Sequence, residues 1–259
     1  MSVYNIKSFK LLNSSIKSIL NQTYKNFEFI ICDDGSTDRT LEYIYKIKKK
    51  NRRIKVIRNS RNYGLSYSLN KCISMSKGSY IARMDADDIA LSNRLEIQYK
   101  FLKKNQHLDF VGTWVYLIDS SKKKLKIRKV PKLPVKKDFL IGTPFIHPTL
   151  MIKKKVYKKL KGYNLNNNVE LVEDYEFFMR AHYFNFKGAN LSVPLIKYRI
   201  NKKKRDYKFR INEAKIQLKW FSLLGLFPLG YLYIIKTLLV DIVPRKFKII
   251  LKTKYESFN

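Results

Sequence analysis

Between Ser15 and Asn21 the apolar residues Ile16, Ile19 and Leu20 recur at helical spacing, and the segment closes on Asn21-Gln22-Thr23-Tyr24. The run Phe27-Glu28-Phe29-Ile30-Ile31-Cys32 then predicts a buried strand that stops at Asp33-Asp34-Gly35-Ser36-Thr37-Asp38, a turn followed by a helix N-cap. Leu41, Ile44, Tyr45 and Ile47 form the apolar stripe of the next helix. Ile54-Lys55-Val56-Ile57 predicts a third strand, Leu65 to Met75 a helix, and Ser79 to Met84 a fourth strand. Repeated βα units with short, turn-rich joints predict an α/β fold: a Rossmann-like, mostly parallel sheet with helices on both faces. In such sheets ligands bind at the carboxyl ends of the strands.

The pattern changes after Asp109. Phe110 to Ile118 predicts a strand, Ser120-Ser121-Lys122 a turn, and Leu125 to Val130 a hairpin partner. Pro131, Pro134, Pro144 and Pro148 punctuate a loop-rich stretch, and Val172 to Ala181 opens a helix with an acidic first turn. After Arg199 come the basic run Lys202 to Arg205, a helix through Trp220, and an apolar run from Phe221 to Ile235 broken by Pro228. A spanning helix needs about 20 uninterrupted apolar residues. This run, with Asp241, Arg245, Lys246 and Lys248 nearby, fits a segment lying in the headgroup region, or else a helical hairpin packed on the main domain. The expected division is residues 1–105, 106–200 and a basic C-terminal helical tail over 201–259.

At 259 residues, 45% hydrophobic and 14% aromatic, the chain can bury a substantial core and is no disordered basic tail. Its 54 Lys+Arg against 20 Asp+Glu predict attraction to polyanions: nucleic acid, an anionic membrane surface or phosphorylated substrates. A nucleic-acid-binding role is disfavoured, because no helix-turn-helix, zinc-finger spacing or aromatic RNA-binding signature appears. Cys32 and Cys72 lack metal-ligand spacing and read as core thiols. Asn5, Lys7 and Lys10 break the first apolar positions, so no signal peptide is expected and a cytoplasmic location follows.

Candidate chemistry concentrates in Arg83-Met84-Asp85-Ala86-Asp87-Asp88, three carboxylates in four residues directly after a short apolar strand. Alternate positions share a face, so Asp85 and Asp87 can point the same way and offer hard oxygen ligands to Mg²⁺ or Mn²⁺. The plainer alternative is that these residues cap a helix starting near Leu91.

Asn21 to Glu28, Asp33 to Asp38, Asn62-Tyr63-Gly64-Leu65, Asp85-Ala86-Asp87-Asp88 and Glu173-Asp174-Tyr175-Glu176, in that order, resemble the successive signatures of family 2 glycosyltransferases of the GT-A fold. The likeness runs from Met1 to about Arg199. It implies transfer of a sugar, with inversion, from a nucleoside diphosphate (UDP or dTDP) to a glycan or lipid-linked hydroxyl in cell-surface polysaccharide synthesis. By the same resemblance Asp87, helped by Asp85, holds Mn²⁺ or Mg²⁺, and Asp174 is the general base. Asp34 would bind the nucleotide base, Tyr4 stack on it, and Asn62 and Gly64 shape its pocket, with His147 and Arg180 on the acceptor side. The enzyme would sit peripherally on the inner face of the cell membrane, with no nucleic-acid partner. Arg199 could face a phosphate, though an ordinary solvated arginine is the simpler expectation. One departure from the family is the first strand: most of it is missing ahead of Tyr4-Asn5. That implies either an upstream start or a truncated, inactive copy acting through interactions.

Overall fold

The structure, a computed structural model, describes residues 1–119, 124–166, 169–200 and 207–240. The expected turn at Ser120-Ser121-Lys122, the run Lys202 to Arg205 and the charged residues beyond 240 lie outside these.

In chain order the elements are β1 (Ser2–Val3), α1 (Phe9–Leu20), β2 (Phe29–Asp33), α2 (Thr40–Lys49), β3 (Ile54–Arg58), α3 (Leu65–Met75) and β4 (Tyr80–Ala82). There follow β5 (Ile89–Ala90), α4 (Arg94–Lys104), β6 (Phe110–Ile118), β7 (Lys124–Arg128), β8 (Met151–Lys153) and α5 (Lys154–Leu160). The described chain closes with α6 (Glu173–Tyr183), β9 (Gly188–Arg199), α7 (Tyr207–Leu223) and α8 (Leu229–Leu239).

Two sheets result. β1, β2 and β3 pair in parallel, Ser2 opposite Cys32 and Phe29 opposite Ile54. The second sheet has the order β4-β8-β6-β9-β5, with β7 on β6; β6 and β9 are parallel and its other pairs antiparallel. β1 is short, but Met1 is in register with it: its ammonium donates to the Ile30 carbonyl at 2.9 Å and its carbonyl accepts from Cys32 N–H. Among the described residues β1 pairs only with β2. A cavity of about 660 Å³, lined by Met1, Ile30, Ile81 and Met84, lies between it and β4.

Polar groups of α1 bridge the two sheets. Ser8 caps the helix, accepting from Leu11 N–H, so it begins six residues before the periodic stretch at Ser15. Leu12, Ile16 and Ile19 face the core. On the same helix Ser15 Oγ donates to the Asp85 carbonyl at 2.7 Å and Ser18 Oγ accepts from Ala90 N–H. Just past its end, Gln22 donates to the Leu91 carbonyl and accepts from Leu95 N–H. Ser15 and Gln22 are fully buried, and burial without these partners would be costly.

The larger core joins Phe110, Phe145, Phe177 and Phe178 with Trp220 and Phe221 of α7. The C-terminal helices therefore pack on the main domain as a hairpin. The outer side of α8 leaves Leu229, Leu232, Ile235 and Leu239 exposed. Among the described residues no helix is long and apolar enough to cross a membrane.

Candidate active site

Two loops meet at the carboxyl end of the parallel strands. Asp34, buried just past β2, spends its carboxylate on the chain itself: Oδ1 accepts from Asn59 Nδ2 at 2.7 Å and from Tyr63 N–H, and Oδ2 from Gly64 N–H at 2.8 Å. Asn62 Oδ1 accepts from the same Gly64 N–H at 3.0 Å. Gly64 holds φ at +89°, a conformation that side-chain-bearing residues rarely adopt, so the loop turns sharply into α3. Asp34, Asn62 and Gly64 thus form one hydrogen-bonded unit. Tyr4 is exposed beside it, on a segment that Asn5 ties to the Asp33–Asp38 turn through Ser36 and Thr37.

The acidic run follows β4. It does not cap a helix: Ile89–Ala90 form β5 and α4 starts only after Asn93. Arg83 is buried and grips Asp85 with both terminal nitrogens, Nη1 to Oδ2 at 2.8 Å and Nη2 to Oδ1 at 2.6 Å. Such a fork restrains a planar carboxylate in one orientation. Asp87 is half-buried. Asp88 is buried; its Oδ1 accepts the Arg199 backbone N–H at 2.8 Å, its Oδ2 has no hydrogen-bond partner among the described residues, and burial beside Asp85 pushes its pKa up to about 8.

Arg199 differs from the solvated arginine that the sequence predicts. It is buried at the end of β9, with Nε donating to the Asp87 carbonyl at 3.1 Å and Nη1 to that of Asp119. The reason is its register: the last β9 residue lies opposite Ile118, which aims it beneath the acidic turn.

The first turn of α6 brings Glu173 and Asp174 into the same electrostatic neighbourhood. Desolvation first, then the charge of Asp174, raises Glu173 to about 7, and both Arg83 and Asp85 act on it. Asp174 is half-buried and its Oδ1 accepts from Tyr175 N–H at 2.7 Å. His147 and half-buried Arg180 are both engaged within the protein. His147 is buried, its Nε2 is 2.7 Å from Tyr163 Oη, and burial with nearby Arg83 keeps it well below the usual histidine range. Arg180 pairs with buried Glu176 at 3.0 Å and donates to the carbonyls of Leu160 and Gly162, so it ties α6 to the end of α5.

The sequence matches the model of the family described as Glycosyl transferase family 2 over residues 1–161. The chain belongs to this family. A relative, the O-antigen biosynthesis glycosyltransferase WbnJ of Escherichia coli, is 37% identical over 199 residues, 75% of this chain and 76% of WbnJ. The fold is that of GT-A glycosyltransferases. Staphylococcus aureus TarS 1-349, solved with UDP-GlcNAc, superposes with a TM-score of 0.67 at 18% identity, covering 87% of this chain and 70% of TarS. The mannosyltransferase PcManGT of Pyrobaculum calidifontis, solved with GDP-Man and Mn²⁺, gives 0.65 at 13% identity over 98% and 78% of the two chains. This family 2 chain is a glycosyltransferase.

Three buried groups with no assigned part in the sequence reading organise the site: Arg83, Asp88 and Ser15. Arg83 carried a signal, because a buried arginine is seldom unpaired and this one directly follows an apolar strand two residues before an aspartate. The Ser15 contact spans 70 positions and had none.

Proposed function

We propose that the enzyme transfers a sugar from a nucleoside diphosphate, UDP or dTDP, to a hydroxyl of a glycan or lipid-linked acceptor, inverting the anomeric carbon, in cell-surface polysaccharide synthesis. The observation that supports this is that Arg83 and Asp85, at the start of the acidic turn, act electrostatically on Glu173 in the first turn of α6, next to Asp174. The WbnJ likeness supports the polysaccharide context, and the nucleotide sugars bound to TarS and PcManGT support the donor class.

A divalent ion fits the residues present. No trio of His, Cys, Asp or Glu among the described residues could hold one alone. Asp85 is already engaged on both oxygens, so the chain offers Asp87 with a contribution from Asp85. Sparse carboxylate donation suits Mg²⁺ or Mn²⁺, which keep waters and take phosphate oxygens. When bound, the ion supplies Lewis acidity against the charge of the departing diphosphate. Asp34 keeps the 62–64 loop shaped for the nucleotide, and Tyr4 offers an exposed ring on which its base can stack. Asp174 takes the acceptor hydroxyl's proton at its carboxylate as attack occurs from the opposite face. The exposed apolar side of α8 supports peripheral placement at the inner membrane face.

The test is a thermal-shift panel of nucleotide sugars with Mn²⁺, with Mg²⁺ and with chelator, since binding to the native state raises its stability. A metal-dependent rise with a UDP- or dTDP-sugar is expected. No rise with any nucleotide sugar in the folded protein would refute the donor assignment.

A further inference from the structure

A second cavity, of about 750 Å³, opens at the opposite end of β4 from the acidic turn, between α3, the lead into β4 and α5. Its floor is apolar, with Ile73, Tyr80 and the buried ring of Tyr157. Six lysines line it: Lys77, Lys153, Lys154, Lys155, Lys158 and Lys161. Three are spent on the protein, Lys153 on the Gln106 carbonyl, Lys154 on that of Ser76 and Lys155 on Asp109 at 2.9 Å. Lys77, Lys158 and Lys161 are exposed.

Both lips are held in place. Glu28 accepts the backbone N–H groups of Lys77 and Gly78 while its other oxygen pairs with Lys55 at 2.6 Å, so this acid is satisfied. Opposite, Asn70 exchanges two hydrogen bonds with the Tyr163 backbone, at 2.7 and 2.8 Å, and fixes the Lys161-Gly162 turn. Lys161 sits at φ +56°, where glycine or asparagine is the usual occupant. An ammonium thus rests on a conformation unfavourable to its own side chain, and such residues cluster at binding sites.

We propose that this cleft binds the phosphate headgroup of an anionic lipid, with Lys77, Lys158 and Lys161 on the phosphate and the Ile73–Tyr80 floor under the apolar end. A basic rim over an apolar floor matches a phosphate joined to hydrocarbon better than a bare anion, whose solvation the floor could not replace. The site lies at the other end of the strand from the sugar-transfer centre, and its occupancy does not depend on that reaction.

The experiment measures partitioning of the full chain onto phosphatidylglycerol and onto phosphatidylcholine vesicles by sedimentation. Wild type should bind the anionic vesicles, and Lys158→Glu/Lys161→Glu should bind at least about 25-fold more weakly, roughly fivefold for each lysine lost with a further loss from the added carboxylates. Lys10→Glu/Lys49→Glu, the same charge change placed elsewhere, should bind nearly as wild type. Lys161→Gly, which relaxes the backbone while removing the charge, should lose about fivefold with its melting temperature kept. Undiminished binding by the Lys158/Lys161 variants, or an equal loss in the Lys10/Lys49 control, overturns the proposal. In solution, short-chain phosphatidylglycerol should stabilise wild type more than inorganic phosphate does. Equal stabilisation would mean a free-phosphate site, and tighter binding of a single-stranded oligonucleotide, lost in the same variants, would mean nucleic acid; either overturns the lipid assignment.

Discussion

At the scale of single residues the site separates groups that would touch substrate from groups that hold them. Asp87→Ala should abolish the metal-dependent rise in melting temperature with nucleotide sugar while leaving the apo protein near its own value; isothermal titration with Mn²⁺ checks it. Asp174→Asn should leave donor affinity near wild type and lower transfer by about 10²–10⁴-fold, the range of a lost general base, which single-turnover transfer measures. Glu173 gives a pH signature. Its folded pKa is raised from 4.5 to about 7, so the fold favours the protonated form. That stabilisation is complete below the unfolded value and disappears as pH climbs through about 7. Glu173→Gln, a permanent neutral mimic, should therefore gain in melting temperature relative to wild type as pH rises from 5 to 8. The acidic residues were legible in the sequence because carboxylates in a strongly basic chain stand out. Which of them brace the turn was not: Asp88 and Arg199 meet across 111 positions. Local sequence likewise gave no sign that His147 is buried against Tyr163 or that Arg180 pairs with buried Glu176.

At the scale of elements, the βα alternation up to Met84 could be read from hydrophobic period alone, because β2 is buried throughout, β3 and β4 are short apolar-rich runs and each helix carries a stripe. The partners of β4 could not. Its pairing with β8 is set by a segment seventy residues on, and periodicity carries no pairing information. The β6–β9 pair, the backbone of the second sheet, shows how tight the packing there is. A Cβ on Gly188 would come within 2.1 Å of the Phe110 ring, which is fully buried. Gly188→Ala should thus cost about 1–3 kcal/mol through overpacking, measured as a lowered denaturant midpoint with unchanged slope. The apolar run after Trp220 illustrates a different limit. Composition admitted both a packed hairpin and a surface-lying segment, and the helices satisfy the first with one side while α8 keeps apolar residues outward on the other.

For the whole molecule, the formal charge of +34 is unevenly used. Arginines 83, 94 and 199 are buried among carbonyls and carboxylates near the active site, while lysines crowd surfaces such as the α5 rim. Among the described residues no backbone ladder joins the three-stranded sheet to the six-stranded one, and a cavity lined by Met1 and by Tyr80 to Ala82 lies beside them. Their union rests on apolar packing and on scattered hydrogen bonds, among them those of Ser15, Ser18 and Gln22 of the α1 region and of Glu28 and Asn70. Side-chain stitches open at lower cost than a continuous ladder, so the nucleotide half should breathe on its own. Deuterium uptake should then show the amides of Ile30 to Asp33 exchanging earlier than those of Val111 to Val115, and a bound nucleotide sugar should slow the first group far more than the second. Equal uptake rates in both strands would mean that scattered polar side chains weld the halves as firmly as a shared sheet does.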